Sequence, residues 1–353
     1  MRILGIESSC DETACAVVDD GWRVRSNAIA SQHDLHERYR GVVPEIASRA
    51  HVERLIPALR SALRDADCGL ADIDAVAVGN RPGLIGSLLV GVAAAKALSL
   101  SLRVPIVGVD HIHAHLWAGA LDAGAPLYPA LGLVVSGGHT AIFRCDSPVR
   151  VTRLGTTIDD AIGEAYDKAA VVLGLAYPGG PEIDRMARDG DDRAHRFPVS
   201  TLDPESLNFS FSGLKTALLY AVRGRPVRAG KKTTFEHDHT HWTDAQRRDF
   251  AASFQRAAVE AVICKLGRAF DRTDDADCKT LLVGGGVSAN SLLRESLTAF
   301  ATRRGLDLRL PAMAYCMDNA AMIAGLAQRQ LVEAGPDDLT LNASPNSVVE
   351  AAP

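Results

Sequence analysis

The chain has 353 residues, 47% hydrophobic and 23% charged, with a formal net charge of −5. This balance excludes a disordered, collagenous or coiled-coil protein, and the length accommodates about two domains without disulfide or metal staples. Seven cysteines (Cys10, Cys15, Cys68, Cys145, Cys264, Cys278 and Cys316) form no C-x-x-C pair and suit reduced thiols in a cytoplasmic protein.

The first ten residues lack the charged start and long apolar centre of a signal peptide, so secretion is not expected. Residues 2–7 and 14–18 read as strands joined by the polar turn Ser8–Thr13, which makes a hairpin. Ile46, Ala50, Leu55, Ile56, Leu59 and Leu63 recur at helical spacing, and residues 74–79 and 105–109 read as short buried strands. The apolar stretch 84–102 is interrupted by Ser87, Lys96, Ser99 and Ser101, whereas a membrane span needs ~20 nearly unbroken apolar residues. It is therefore expected as a buried helix.

A second hairpin is expected from residues 131–135 and 140–144, joined by Ser136-Gly137-Gly138-His139. Two such units a domain apart suggest an internal duplication. Helices over 161–173 and 251–270, and a strand over 280–283 entering Gly284-Gly285-Gly286, continue the alternation of an α/β architecture. Residues 223–243, rich in Arg, Lys and His without an apolar period, read as an exposed insertion. The last dozen residues read as a loose tail.

Three glycine turns expose backbone amides: Ser136-Gly137-Gly138, Gly284-Gly285-Gly286 and Tyr177-Pro178-Gly179-Gly180-Pro181. Each alone is a plain turn, but three in one α/β chain favour a nucleotide-like ligand. Asp110 is placed to cap a helix on which His111 and His115, at i and i+4, share a face while His113 points elsewhere. That spacing suits a metal, with ordinary hydrogen-bonded histidines as the alternative. Ile112 occupies the place where a zinc-protease H-E-x-x-H motif needs glutamate. His237, His239 and His241 fall in the polar insertion and read as a solvated loop. Asp159, Asp160, Glu164 and Asp167 read as a solvated helix face, and Asp318-Asn319 as a helix N-cap.

The run Gly5-Ile6-Glu7-Ser8-Ser9-Cys10-Asp11-Glu12-Thr13, the His111/His115 pair and Ser136-Gly137-Gly138-His139-Thr140 closely resemble the TsaD family. The resemblance continues through Pro44-Glu45-Ile46-Ala47-Ser48-Arg49, the segment from Asp159 to Lys168, Tyr177 to Pro181, Phe209 to Lys215, Gly285 to Asn290, and Asp318-Asn319. It implies an actin-like ATPase fold of two duplicated lobes around a central cleft. The expected division is residues 1–127 with a C-terminal helix near 318–340 in the first lobe, and 128–317, with the insertion at 223–243, in the second.

The resemblance also implies an acyltransferase that moves the threonylcarbamoyl group from threonylcarbamoyl-adenylate to N6 of adenosine 37 in tRNAs reading ANN codons. It assigns His111, His115 and Asp318 to one divalent metal, Fe(2+) favoured and Zn(2+) the alternative. Val134, Val135, Ser136, Gly137, Gly138, His139, Asp167, Gly180, Asp184 and Asn290 match positions expected to bind the adenylate, and Asp11 and Glu12 are expected near the reacting end. Partners implied are tRNA and, in bacteria, TsaB-like and TsaE-like proteins, with no membrane.

Two departures from the family pattern stand out: Arg81 replaces a glycine before Pro82-Gly83-Leu84, and the insertion is long. Because the chain is acidic overall, tRNA contact calls for a local basic patch, for which Arg223, Arg225, Arg228, Lys231 and Lys232 are the candidates.

Overall fold

The computed structural model describes all residues except 40, 127, 200, 201, 204, 230, 231, 274–277, 348, 349, 352 and 353. Five strands form the first sheet: β1 (Arg2–Glu7), β2 (Glu12–Asp19), β3 (Arg23–Ser31), β4 (Ala75–Arg81) and β5 (Ile106–Asp110), in the order β3-β2-β1-β4-β5. β1, β2 and β3 make an antiparallel meander, while β4 and β5 run parallel to β1. The second sheet starts with β6 (Ala130–Val135), β7 (Thr140–Cys145) and β8 (Val151–Thr156). After a small hairpin of β9 (Val227–Ala229) and β10 (Lys232–Thr234) it adds β11 (Thr280–Gly284) and β12 (Asp307–Arg309). Its order, β12-β11-β6-β7-β8, and its strand directions repeat those of the first. The duplication suggested by the two hairpins is thus present in the topology.

Strands buried on both faces read as continuous apolar runs, which is why β1, β4 and β5 lack alternation. After the short α1 (His33–His36), α2 (Pro44–Asp65) and α3 (Ile85–Leu102) cover one face of the first sheet, with Leu55, Leu59 and Val92 packed on Leu4, Ile6 and Val76. The connections to the second sheet include α4 (His111–Trp117), then α5 (Ile162–Leu173), α6 (Gly179–Ala187), α7 (Ser212–Arg223), α8 (Asp244–Arg272) and α9 (Ser291–Arg304). The chain ends by returning α10 (Ala320–Glu333) to the other face of the first sheet. There Met322, Ile323 and Leu326 are almost wholly buried, each burial contributing about 2 kcal/mol.

Several expectations need correction. α3 is not a buried helix. Its small residues Ser87, Gly91, Ala95 and Ser99 face inward, where Gly91 leaves room for the Ser8 side chain, and Ile85, Leu89 and Leu100 are left exposed. By length and composition alone it is apolar enough to cross a membrane. α8 starts seven residues earlier than its apolar pattern because Thr243 and Gln246 form a capping box ahead of it.

The chain end is not loose either. The Ser344 amide donates to the Asn80 carbonyl (2.9 Å), Asn80 Nδ2 donates to the Asn342 carbonyl (3.0 Å), and Ser347 Oγ donates to Asp110 Oδ2 (2.6 Å). A short β13 (Glu350–Ala351) then pairs parallel with β8; Ala352 and Pro353 lie outside the described residues.

Candidate functional site

β5 ends in Asp110, whose Oδ1 accepts from the amides of Ile112 (2.9 Å) and His113 (3.4 Å) and so starts α4, as its residue type predicts. His111 and His115, one turn apart, stand edge to face with ring centroids 4.6 Å apart. Asn319 caps α10 through the Met322 amide, and the docking of α10 on the first sheet carries the preceding Asp318 to the two histidines. Asp318 Oδ1 lies 3.4 Å from Nε2 of His111 and 3.2 Å from Nε2 of His115. The three ligand atoms lie within 4.8 Å of one another.

Hydrogen bonding tests whether this triad suits a metal. His111 Nδ1 sits 3.0 Å from Glu7 Oε2 and 3.2 Å from Ser9 Oγ, so a proton on Nδ1 satisfies Glu7 and leaves the Nε2 lone pair toward Asp318. Both ring nitrogens of His115 are buried without a hydrogen bond. Acceptor atoms converging on one buried point are costly unless a cation sits between them, so the residues fit a metal ion. Without one, His111 takes that role. Burial alone would push its ring down, but Asp318 and Glu7 outweigh it and hold it well above its ordinary value. Asp318 is held well below the carboxylate range, His111 overcoming desolvation, while burial and then His111 push His115 down.

The acidic turn lies beside this triad. Burial, followed by the charges of Asp318 and Asp11, pushes the Glu12 carboxyl up to about 10. Across the cleft, the Ser136 turn closes on itself, the Ser136 amide donating to the His139 carbonyl (2.7 Å) and the His139 amide to Ser136 Oγ (3.0 Å). Among the described residues none accepts from the Gly137 or Gly138 amide, and a Cβ on either would meet nothing within 4 Å. Neither glycine has positive φ, so the backbone conformation does not demand them. The His139 ring, open to solvent on one side, is pushed down to about 4 by crowding and then by His111 and His115. Val134 and Val135 put their side chains into the core, leaving only backbone at the strand end.

Asp167 on α5 accepts from the Gly179 amide (2.7 Å), and burial raises its carboxyl against the pull of the Gly179 and Gly180 amides. Asp11 adds to that rise, and Asp167, Asp11, Cys10 and Glu12 all act on Tyr177, which burial first pushes up to about 12. The Tyr177 turn therefore faces the acidic turn from the opposite lobe, and His33 stacks on Tyr177 with ring centroids 5.3 Å apart. Asp184 and Asn290 are brought together in one hydrogen-bond network. Asp184 Oδ1 accepts from Ser291 Oγ (2.6 Å), the Ser291 amide (3.2 Å), Asn290 Nδ2 (3.2 Å) and Gln255 Nε2 (3.3 Å), while Asn290 Oδ1 caps α9.

Sequence reasoning overlooked Glu7 as a partner of the site. The available signal was a carboxylate ending an apolar strand, since a buried charge must find a partner. Asp159 and Asp160 precede α5 rather than lining it, and although Asp159 is exposed both are engaged by protein partners. Asp159 accepts from Ser210 Oγ (2.5 Å), Ser212 Oγ (2.7 Å) and the Phe211 amide (2.9 Å), and Asp160 pairs with Lys168 and Lys215.

The insertion is pinned by Trp242, whose Nε1 donates to the Val222 carbonyl (2.8 Å). His237 and His241 stack with centroids 4.0 Å apart, and among the described residues only His111, His115 and Asp318 group as metal ligands. Arg81 Nε donates to Asn80 Oδ1 (3.3 Å). Of the expected basic patch, Lys231 lies outside the described residues, and Arg228 and Lys232 are described in backbone only.

Comparison with known proteins agrees with this arrangement. The chain is 47% identical over 345 residues to a tRNA N6-adenosine threonylcarbamoyltransferase of Trichlorobacter lovleyi, covering 98% of this chain and 96% of that protein. It is 47% identical over 347 residues to the enzyme of that name from Moorella thermoacetica, with 98% and 96% covered. Among solved structures, HypF of T. kodakarensis is similar with a TM-score of 0.58 at 15% identity, over 92% of this chain and 47% of that one. Component A of the Acidaminococcus fermentans (R)-2-hydroxyglutaryl-CoA dehydratase is similar with a TM-score of 0.51 at 12% identity, over 94% and 100%. These structures bear on the fold alone, which is the actin-like α/β fold. The TsaD family model, described as tRNA N6-adenosine threonylcarbamoyltransferase, matches residues 23–325, and the chain belongs to that family of transferases.

Proposed function

We propose that the chain transfers the threonylcarbamoyl group from threonylcarbamoyl-adenylate to N6 of adenosine 37 in tRNAs reading ANN codons. The observation that carries this reading is the convergence of His111, His115 and Asp318 beside the Asp11–Glu12 turn, with the bare Gly137 and Gly138 amides in the same cleft. In the transfer, the adenosine amine attacks the carbamoyl carbon, the new C–N bond replaces the C–O bond to the phosphate, AMP leaves with the electron pair, and the amine gives up a proton. The Ser136–Gly138 amides suit the phosphate, and Asp167 with the Gly179–Gly180 turn suits the nucleoside end. Val134, Val135 and His139 frame the phosphate turn, and Asp184 and Asn290, hydrogen-bonded to one another, complete the residues that hold the adenylate. Asp11 and Glu12 border the reacting end, and the two lobes keep water from the activated donor.

A divalent metal on His111, His115 and Asp318, Fe(2+) in preference to Zn(2+), would polarise and orient the threonylcarbamoyl end. The same reading divides the chain into a first lobe of residues 1–127 with 318–340 and a second of 128–317. It places the protein in the cytoplasm. The exposed Val52 and Ile56 on α2 and Ile85 and Leu89 on α3 form an apolar face suited to a TsaB-like partner, with a TsaE-like ATPase joining the assembly. Arg223 and Arg225 mark the side from which tRNA phosphates are held.

The test incubates purified protein and partners with unmodified tRNA and threonylcarbamoyl-adenylate, then analyses nucleosides by mass spectrometry. Threonylcarbamoyladenosine and AMP in equal amounts are expected; AMP without modified nucleoside would overturn the transfer.

A further inference from the structure

The acidic turn is gripped from behind by a histidine that touches neither the triad nor the cleft. His51, in the third turn of α2, is wholly buried, as is Thr13. Its Nε2 lies 3.0 Å from the Cys10 carbonyl oxygen and its Nδ1 lies 2.8 Å from Thr13 Oγ1. The carbonyl can only accept, so Nε2 carries the proton and Nδ1 accepts from the threonine hydroxyl. One imidazole therefore spans the turn from the residue before Asp11 to the residue after Glu12.

Glu12 and Thr13 also pair with Ser31 and Ala30 of β3, and further fastenings hold the backbone of the turn or neighbouring residues. The Gln32 amide donates to the Asp11 carbonyl (3.0 Å), the Leu84 amide to the Ser9 carbonyl (2.8 Å), and Ser8 Oγ to the Ser87 carbonyl (3.0 Å). Gln32 is itself tied to the start of α2 through the Ala47 carbonyl. None of these bridges the two ends of the acidic pair. Asp11 and Glu12 are adjacent in one short turn, so keeping both side chains in one arrangement calls for a fixed backbone on either side of the pair, which a rigid brace supplies.

We propose that His51 is a positioning residue for the transfer reaction, bracing Cys10 and Thr13 so that Asp11 and Glu12 stay aimed at the reacting end. The inference rests on the functional reading above. A neutral ring suits the role: burial pushes His51 below its ordinary value, and the pattern of one donor and one acceptor is that of the uncharged imidazole.

The experiment compares wild type, His51→Leu, His51→Gln and Thr13→Val in the complete modification assay, with metal content and hydrogen exchange measured on the same preparations. His51→Leu is expected to lower kcat about 10- to 100-fold, the scale set by displacement of reacting groups by an ångström. KM for the adenylate and metal stoichiometry should stay at wild-type values, because neither the phosphate turn nor the triad is touched. Exchange should quicken in peptides covering residues 8–13 and not in those covering β5. His51→Gln, whose amide can still donate to the Cys10 carbonyl, should recover part of kcat, and Thr13→Val should lose less than His51→Leu.

An active, folded His51→Leu protein with wild-type kcat would overturn the proposal. So would a loss that follows only the folded fraction and leaves exchange in the turn unchanged. Should His51→Leu not fold, the contrast of His51→Gln and Thr13→Val with wild type decides by the same kcat and exchange readouts. A wild-type protein that makes no modified nucleoside would overturn the functional reading instead, while exchange in the turn still decides whether the brace exists.

Discussion

The Oε2 atom of Glu7 stands 3.0 Å from Nδ1 of His111, joining the end of the first strand to the first residue of the metal-triad helix. β1 and β5 flank β4, and Gly79 on β4 leaves the space that the Glu7 carboxylate fills, since a Cβ there would come within 2.7 Å of it. A carboxylate behind a liganding imidazole fixes its tautomer and raises its basicity. Glu7→Gln keeps the shape and removes the charge. Metal affinity should fall about 10- to 100-fold, read by chelator competition; an unchanged affinity would remove Glu7 from the site.

The two histidine groups give opposite forecasts. Changing His111 and His115 to Ala should abolish stoichiometric metal in elemental analysis and collapse tRNA modification. Changing His237, His239 and His241 to Ala should leave both intact, because two of those rings stack on one another rather than converge. Metal that followed the insertion histidines would force withdrawal of the triad.

Glycines in two turns should answer differently. Gly137 has open space and an ordinary φ, so Gly137→Val should fold normally and weaken adenylate binding, which calorimetry reads directly. Gly285 has φ +91° and a Cβ there would lie 2.4 Å from the Val135 carbonyl oxygen. Gly285→Ala should therefore cost about 1–3 kcal/mol of stability in urea unfolding. A Gly285→Ala protein as stable as wild type would contradict the close approach of β11 to β6.

Asp159 predicts a pH dependence. Desolvation would raise its carboxyl, but hydrogen bonds from Ser210, Ser212 and Phe211 outweigh that and lower it. The unfolded chain thus takes up a proton at a higher pH than the folded one. The stabilisation is complete above the unfolded value, about 3.9, and is lost as pH falls through the lower folded value. Asp159→Asn should cost about 1 kcal/mol at neutral pH, allowing for screening of an exposed carboxylate. Urea unfolding from pH 7 down to pH 2 should narrow the gap between variant and wild type only below about pH 4, as the carboxyl protonates; parallel curves would rule the contribution out.

Short-range features were legible in the residues. Asp110 had to cap a helix, His111 and His115 had to share its face, and the two hairpins had to turn at Ser8–Thr13 and Ser136–His139, because these outcomes depend on residues a few positions apart. The resemblance of whole motifs added Asp318, which no spacing could have paired with the histidines.

Tertiary structure alone decided the rest. Asp318 reaches the histidines because α10 folds back onto the first sheet, and Glu7 reaches His111 because β1 and β5 lie on either side of β4. α3 buries Ser87, Gly91, Ala95 and Ser99 alongside Leu88 and Val92 and leaves Ile85, Leu89 and Leu100 exposed, against the expectation from its composition, because its docking on the sheet rather than its apolar content decides which face is covered. The tail reads as loose but is tied down, since Asn80 and Asp110 offer polar partners that the chain order does not announce. Hydrophobic period acts along a few turns of chain, whereas the meeting of distant polar groups depends on strand order and helix docking, which no local pattern contains.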